Sequence, residues 1–319
     1  MLLGHLVDIE RHSIYDAALA IQDGYIVEIQ PLQEALPVEA PYILPGFVDS
    51  HIHIESTLLT PSRFAPLAVR QGTVAVVADP HEIANVLGVE GVDFMLQDSN
   101  SVRFGFHFCV PSCVPSTPFE TAGATLDSQA VKSLLQRDRV VGLAEMMNVP
   151  GVLSGDAEVL GKIAAAKAAG KPVDGHFPGG RGDALAEYVK QGISSDHESV
   201  SVEEVRKKLS LGQTIFLREG SAAKNLETLL AVVTPENAGR FCFCADDISA
   251  ADLLDGGDIL RCVRKAVKLG MAPELALKIA CENPRRYFGL PEEPESFVLV
   301  EDLIDFSIVK VVKNGREFR

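Results

Sequence analysis

Eight short apolar runs recur through the chain, at residues 42–48, 73–78, 104–110, 140–144, 171–174, 192–195, 214–217 and 241–245. The stretches between them are amphipathic or alanine-rich with helical spacing, as at 156–169, 202–211 and 225–233. Strands alternating with helices imply βαβ units and a parallel sheet. Eight such units predict closure into a (β/α)8 TIM-type barrel rather than an open sheet. A parallel barrel buries both faces of its strands, so it needs an aliphatic interior. The composition agrees: 47% of residues are hydrophobic, only 6% are aromatic, and there is no Trp.

The ends of the runs say more than the runs themselves. Nearly every one finishes in a polar cluster: His51-Ile52-His53, Asp79-Pro80-His81-Glu82, Pro111-Ser112-Cys113, Glu145-Met146-Met147, Asp174-Gly175-His176, Asp196-His197-Glu198, Arg218-Glu219-Gly220 and Ala245-Asp246-Asp247. In a closed parallel barrel all C-terminal strand ends share one face, where active sites form. An open doubly wound sheet would collect only the loops at its switch point. The termini read separately. A strand-like pair, 18–22 and 26–28, flanks the hairpin signal Asp23-Gly24, and two further strands, 297–301 and 307–313, end in Lys313-Asn314-Gly315. Residues 1–41 and 291–319 are expected to form one small composite β-domain, leaving 42–290 as the barrel.

Histidines separated by one residue on a strand face the same side, so His51 and His53 can reach one metal. Two ordinary loop histidines are the plain alternative. Four of the eight histidines (His51, His53, His176 and His197) end predicted strands, as do the carboxylates Glu145 and Asp246. Unpaired carboxylates are costly in a barrel interior. Four imidazoles and two carboxylates can hold two divalent cations with one carboxylate between them, an arrangement that generates a hydroxide and polarises the group it attacks.

The constellation resembles the amidohydrolase superfamily, beginning at Leu44-Pro45-Gly46-Phe47-Val48-Asp49-Ser50-His51-Ile52-His53 and continuing through all eight strands. Several strings look specifically like its adenine-deaminase branch. They are His51-Ile52-His53-Ile54-Glu55-Ser56, Asp79-Pro80-His81-Glu82-Ile83-Ala84-Asn85-Val86, Gly142-Leu143-Ala144-Glu145-Met146-Met147, Asp174-Gly175-His176, Arg218-Glu219-Gly220-Ser221-Ala222-Ala223-Lys224-Asn225, and Asn283-Pro284 followed by Phe288-Gly289-Leu290. The likeness covers about residues 40–290 well and the termini more loosely. It implies that His51 and His53 bind a first metal, His176 and His197 a second, and that Glu145 bridges them. It implies that Asp246 ligates the first metal and serves as general base, that Glu82, assisted by His81, protonates a ring nitrogen, and that Arg218, Glu219 and Ser221 bind substrate. The implied reaction is hydrolysis of adenine to hypoxanthine and ammonia by a hydroxide held between two metals, Mn or Fe by preference, with Zn an option. Other amidohydrolase substrates (a modified purine, a pterin, a cyclic amide) and a non-catalytic purine-binding barrel are the competing readings. Three features depart from that branch: Ala245 stands where Thr is common, Gly257-Asp258-Ile259-Leu260 replaces Gly-His-Ile-Asp, and the usual further C-terminal domain is expected to be lacking after Arg319.

Other residues have plainer readings. Glu55 and Ser56 could cap the segment after the histidines, and His107 reads as a packed histidine within its strand. His5 and His12 read as surface residues, Met146 and Met147 as wall residues, and Asp247 as a weaker candidate ligand than Asp246. The six cysteines form no C-x-x-C and read as reduced, buried small hydrophobes in a cytoplasmic protein without a signal peptide. No P-C-x-x-C follows His53-Ile54-Glu55, which excludes the cytidine-type zinc deaminases. The glycine-rich 178–182 lacks the Lys of a P-loop. With 29 basic residues scattered among 44 acidic ones and a net charge of -15, nucleic acid is an excluded partner. No apolar run reaches the roughly 18 residues of a membrane span. The expected partner is a small purine, in a homo-oligomer.

Overall fold

The structure is a computed structural model that describes residues 1–11, 13–22, 25–117, 119–293 and 295–318. Eight of its strands run parallel: β5 (Phe47–Ile52), β6 (Thr73–Ala78), β7 (Gly105–Val110), β8 (Val140–Met146), β9 (Val173–Gly175), β10 (Ser195–Asp196), β11 (Thr214–Arg218) and β12 (Phe241–Cys244). They pair as β5-β6-β7-β8-β9 and β10-β11-β12. Parallel bridges from Val173 to Ile193 and from Ile52 to Asp246 join the two groups at both seams and complete the barrel. At the second seam the Asp246 amide donates to the His51 carbonyl at 2.9 Å, and the His53 amide to the Asp246 carbonyl at 3.3 Å. Among the residues filling the interior are Val48, Ala75, Val77, Cys109, Ala144, Phe216, Cys242 and Cys244, all buried. The outer faces of the strands pack against the surrounding helices. All six cysteines are buried and unpaired.

The seven remaining strands form one sheet from both ends of the chain: β1 (Leu2–Asp8), β2 (Ser13–Gln22), β3 (Tyr25–Pro31), β4 (Tyr42–Pro45), β13 (Phe297–Val300), β14 (Ile308–Lys313) and β15 (Arg316–Phe318). Their order is β15-β14-β13-β4-β1-β2-β3. The β2–β3 hairpin is antiparallel, with Gln22 opposite Tyr25. The turn signal Asp23-Gly24 and His12 lie outside the described residues. The expected barrel strand 42–48 divides in two: Tyr42–Pro45 pairs with β1 and β13, while the barrel begins at Phe47. Gly46 is the pivot, because a Cβ there would lie 2.3 Å from Cγ2 of Val74.

Helix ends follow their caps. Asp156 accepts from the Val159 amide at the start of the helix Ala157–Ala168, and Ser201 accepts from Glu204 at the start of Val202–Ser210. The third expected helix is shorter, an α-helix over Leu226–Leu229 followed by a 3-10 turn over Leu230–Val232. Among the described residues, no helix is long and apolar enough to cross a membrane.

Candidate metal centre at the barrel mouth

Two β-bulges aim the donors. In β5 the register against β6 runs Asp49↔Val76 and then Ile52↔Ala78, so β5 carries one residue more than its partner. An extra residue reverses the inward–outward alternation. Val48 fills the interior before the bulge; after it Ile52 joins the outer core, while His51 and His53 face the barrel axis. The same slip occurs in β8, between Leu143↔Val173 and Met146↔Gly175. Ala144 is interior, Met146 packs outward, and Glu145 turns inward beside the histidines.

The six predicted metal residues converge. His51 Nε2 and His53 Nε2 are 3.1 Å apart, and Asp246 Oδ1 lies 3.1 Å from His53 Nε2 and 3.7 Å from His51 Nε2. Glu145 Oε2 lies 2.5 Å from His176 Nδ1 and 3.1 Å from His197 Nε2. Its other oxygen, Oε1, is 3.5 Å from His53 Nε2. His51, His53 and Asp246 therefore make one three-donor group, Glu145, His176 and His197 make another, and Glu145 spans both. Within each group the ligand atoms all lie within 4.8 Å of one another. Asp246 holds this position with a φ of 58°, a left-handed conformation that Asp tolerates better than most residues.

Electrostatics favour a cation here. Burial tends to raise the Glu145 carboxyl, but hydrogen bonds from His176 and His197 hold it well below the usual range. Asp246 is likewise pushed up by burial and brought far down by its bond to His53 and by the neighbouring imidazoles. His53 and His197, which burial would keep neutral, are raised by neighbouring carboxylates, His53 by Asp246 and Glu145 and His197 by Asp174 and Glu145. A field that draws protons onto buried imidazoles draws a divalent cation equally, and imidazole with carboxylate is a donor set suited to Zn, Mn or Fe. The residues therefore fit divalent metal.

The other expected residues are placed unevenly. His81 Nδ1 sits 2.9 Å from Asp79 Oδ2 and 3.3 Å from Glu145 Oε1. Burial would lower it, but Asp79 outweighs burial and raises it to about 9. Glu82, on the first turn of the helix His81–Leu87, is exposed, with Oε1 3.5 Å from Ser56 Oγ. Arg218 reaches the site: its Nη1 lies 2.6 Å from Asp246 Oδ2 and also donates to Glu198. Glu219 and Ser221 do not. Glu219 pairs with Lys265 of the outer helix Ile259–Lys268 at 3.0 Å, and Ser221 donates to Asp252. The string around them is a brace: Asn225 Oδ1 accepts from the Arg218 amide at 2.7 Å, and its Nδ2 donates to the His197 and Ser199 carbonyls.

Several site residues went unassigned from the sequence. Asp79, Asp174 and Glu198 all stand in the polar clusters that end the strands, which was the available signal. Glu198 Oε1 lies 3.6 Å from His197 Nε2 and 3.7 Å from His176 Nδ1. Glu55 accepts from the Ile83 amide at 3.3 Å, and burial raises its carboxyl to about 7. The plain readings of His107 and Met146 agree with the structure: Met146 is core, and His107 lies within β7.

A model of the amidohydrolase family matches residues 42–316. Adenine deaminases are similar along nearly the whole chain. That of Salinibacter ruber (strain DSM 13855 / M31) is 47% identical, covering 98% of this chain and 58% of the relative. That of Methanothermobacter thermautotrophicus is 43% identical, covering 99% and 58%. The chain thus spans less than two thirds of the length of these relatives. Among solved structures, N-acetyl-D-glucosamine-6-phosphate deacetylase from Mycobacterium smegmatis superposes with a TM-score of 0.72 at 16% identity, with full coverage of both chains. A β-aspartyl dipeptidase from Fervidobacterium islandicum AW-1 gives 0.66 at 18% identity, covering 99% of this chain and 96% of the other. These structural likenesses agree with the barrel and its terminal sheet. On its matched residues and its fold, the chain belongs to the amidohydrolase family.

Proposed function

We propose that this chain catalyses hydrolytic deamination of adenine to hypoxanthine and ammonia at a centre holding two divalent cations. The observation that carries the reading is Glu145, one carboxylate shared between two three-donor groups at the mouth of the barrel. The substrate follows from the similarity to adenine deaminases. His51, His53 and Asp246 would hold one cation and His176 and His197 the other, with Glu145 between them; Mn or Fe is the preferred metal, and Zn is the third choice. Such cations supply a nucleophile from water at neutral pH and polarise the bond it attacks.

The chain's own groups then move protons and hold geometry. Asp246 takes a proton from the attacking water and passes it to the departing amine, which makes one carboxylate base and then acid. Arg218, bonded to Asp246 Oδ2, keeps that oxygen from rotating away and neutralises part of the acidic ring around the pocket. Glu82 and His81 supply the proton to the ring nitrogen as the tetrahedral carbon forms. We also propose a homo-oligomer in the cytoplasm; its buried, unpaired thiols suit a reducing compartment.

The test is incubation of manganese-loaded protein with adenine, following ammonia release and the change in purine absorbance. Ammonia with hypoxanthine in equal amounts is the expected result. Turnover of a pterin or cyclic amide with adenine inert would transfer the reading to that substrate. Adenine binding without turnover, with two metals bound per chain, would make the barrel a sensor.

A further inference from the structure

Behind the donors lies a buried carboxylate that neither metal group uses. Asp174, in β9, is 3% exposed. Its Oδ2 lies 2.9 Å from His51 Nδ1 and, at ion-pair rather than hydrogen-bond distance, 3.7 Å from His197 Nδ1, a buried nitrogen with no hydrogen-bond partner among the described residues. Those two rings are stacked, 4.1 Å between centroids and inclined by 24°. One belongs to each donor group. Their Nε2 atoms point the other way, to His53 and Asp246 and to Glu145. The second oxygen of Asp174 is occupied: Oδ1 accepts from Ser195 Oγ at 2.6 Å and from the Gly175 amide at 2.8 Å. Ser195 Oγ in turn accepts from Tyr287 Oη at 2.9 Å, so the carboxylate is fixed from below.

We propose that Asp174 is a positioning residue shared by both donor groups, orienting His51 and His197 with one oxygen so that the two cation sites depend on it together. An imidazole can give Nε2 to a metal only if the proton sits on Nδ1, and an acceptor behind Nδ1 selects that tautomer. An ionised carboxylate accepts on every lone pair, so it can serve two rings while Ser195 and Gly175 hold the other oxygen. An amide cannot. In Asp174→Asn either the NH2 faces the two rings, driving their protons onto Nε2, or it faces the Ser195 and Gly175 donors and breaks the support. The inference rests on the metal-centre reading above.

Cobalt(II) titration of the metal-free protein, followed by visible absorption and total metal analysis, separates the two. Wild-type protein is expected to take two cobalt ions per chain; no cobalt binding by wild type would refute the metal centre itself, whatever Asp174 does. In Asp174→Asn both binding steps are expected to weaken by roughly 10–100-fold, measured at a temperature where circular dichroism shows the metal-free variant fully folded. Wild-type affinity at both steps, or a loss confined to one step, would each overturn the proposal. If Asp174→Asn does not fold, Ser195→Ala removes one donor from Oδ1 and leaves the rest of the barrel intact. It is expected to weaken both cobalt steps by a smaller, equal factor, and unchanged affinity would overturn the proposal.

Discussion

Glu82 and Glu55 flank Ser56 and differ in how each meets solvent. Glu82 is exposed at the start of its helix. Glu55 is partly buried; its Oε1 accepts from the Ile83 amide, and its Oε2 has no hydrogen-bond partner among the described residues. If Glu82 delivers the ring proton, Glu82→Gln lowers kcat for adenine by roughly 10²–10⁴ with little change in KM, while Glu55→Gln stays within about tenfold of wild type. Steady-state kinetics on the two variants decide this, and the opposite ranking assigns the proton to Glu55. His107 offers a test of stability instead. Burial pulls it down to about 4; Glu293 opposes the shift, and Arg285, Lys313 and Arg139 reinforce it. The unfolded chain takes that proton near the ordinary histidine value of about 6.5. Between the two values the unfolded state binds more protons, so stability is full above 6.5 and falls as pH drops toward 4. The loss approaches roughly 3 kcal/mol. His107→Gln is expected to flatten that part of the melting-temperature profile, and parallel wild-type and variant profiles would contradict the assignment.

The loop carrying Asp246 is held by packing as much as by hydrogen bonds. A Cβ on Gly220 would lie 2.6 Å from both the Ala245 and the Asp247 carbonyl oxygens, closer than real contacts allow. Gly220→Ala must therefore displace the segment that holds Asp246. The expected cost is about 1–3 kcal/mol in stability, with a larger proportional loss of metal affinity than a substitution on the solvent side of the same loop. Calorimetric metal titration checks it, and unaltered affinity would show that the loop yields without moving Asp246. The candidate donors were legible in the sequence because each follows an apolar run, and polar residues at barrel strand ends are a strong signal. The bulges in β5 and β8 were not legible: a bulge is a mismatch between two strands, and no single segment records it. The split of 42–48 was hidden for a related reason, since Tyr42–Pro45 and Phe47–Ile52 form one apolar run and only their partners differ. Glu219 and Ser221 looked like pocket residues from their place after β11, yet their side chains satisfy Lys265 and Asp252. Their direction depends on where the outer helices pack, which local pattern does not fix.

The donors come from β5, from β8, and from the ends of β9, β10 and β12, so five of the eight strands meet at the centre. One of the barrel's two closing seams, between β12 and β5, runs through His51, His53 and Asp246 themselves. Cations held there would tie the ring shut across that seam and, because the donors converge only in the folded chain, would stabilise that state alone. At 100 times the dissociation constant a folded-state ligand adds about 2.7 kcal/mol. Unfolding entropy of about 2.1 cal/mol/K per residue over 319 residues converts this to a rise of about 4 °C in Tm for each cation bound. Chelator-treated protein is expected to melt lower by about that amount for each cation removed and to recover when a divalent cation is restored. The location of the effect is the sharper test. Hydrogen exchange should accelerate on metal removal at the C-terminal ends of β5, β8 and β12, and remain unchanged in the sheet formed by β1–β4 and β13–β15. Acceleration spread evenly over both parts would mean that the cations stabilise the protein from somewhere other than the seam.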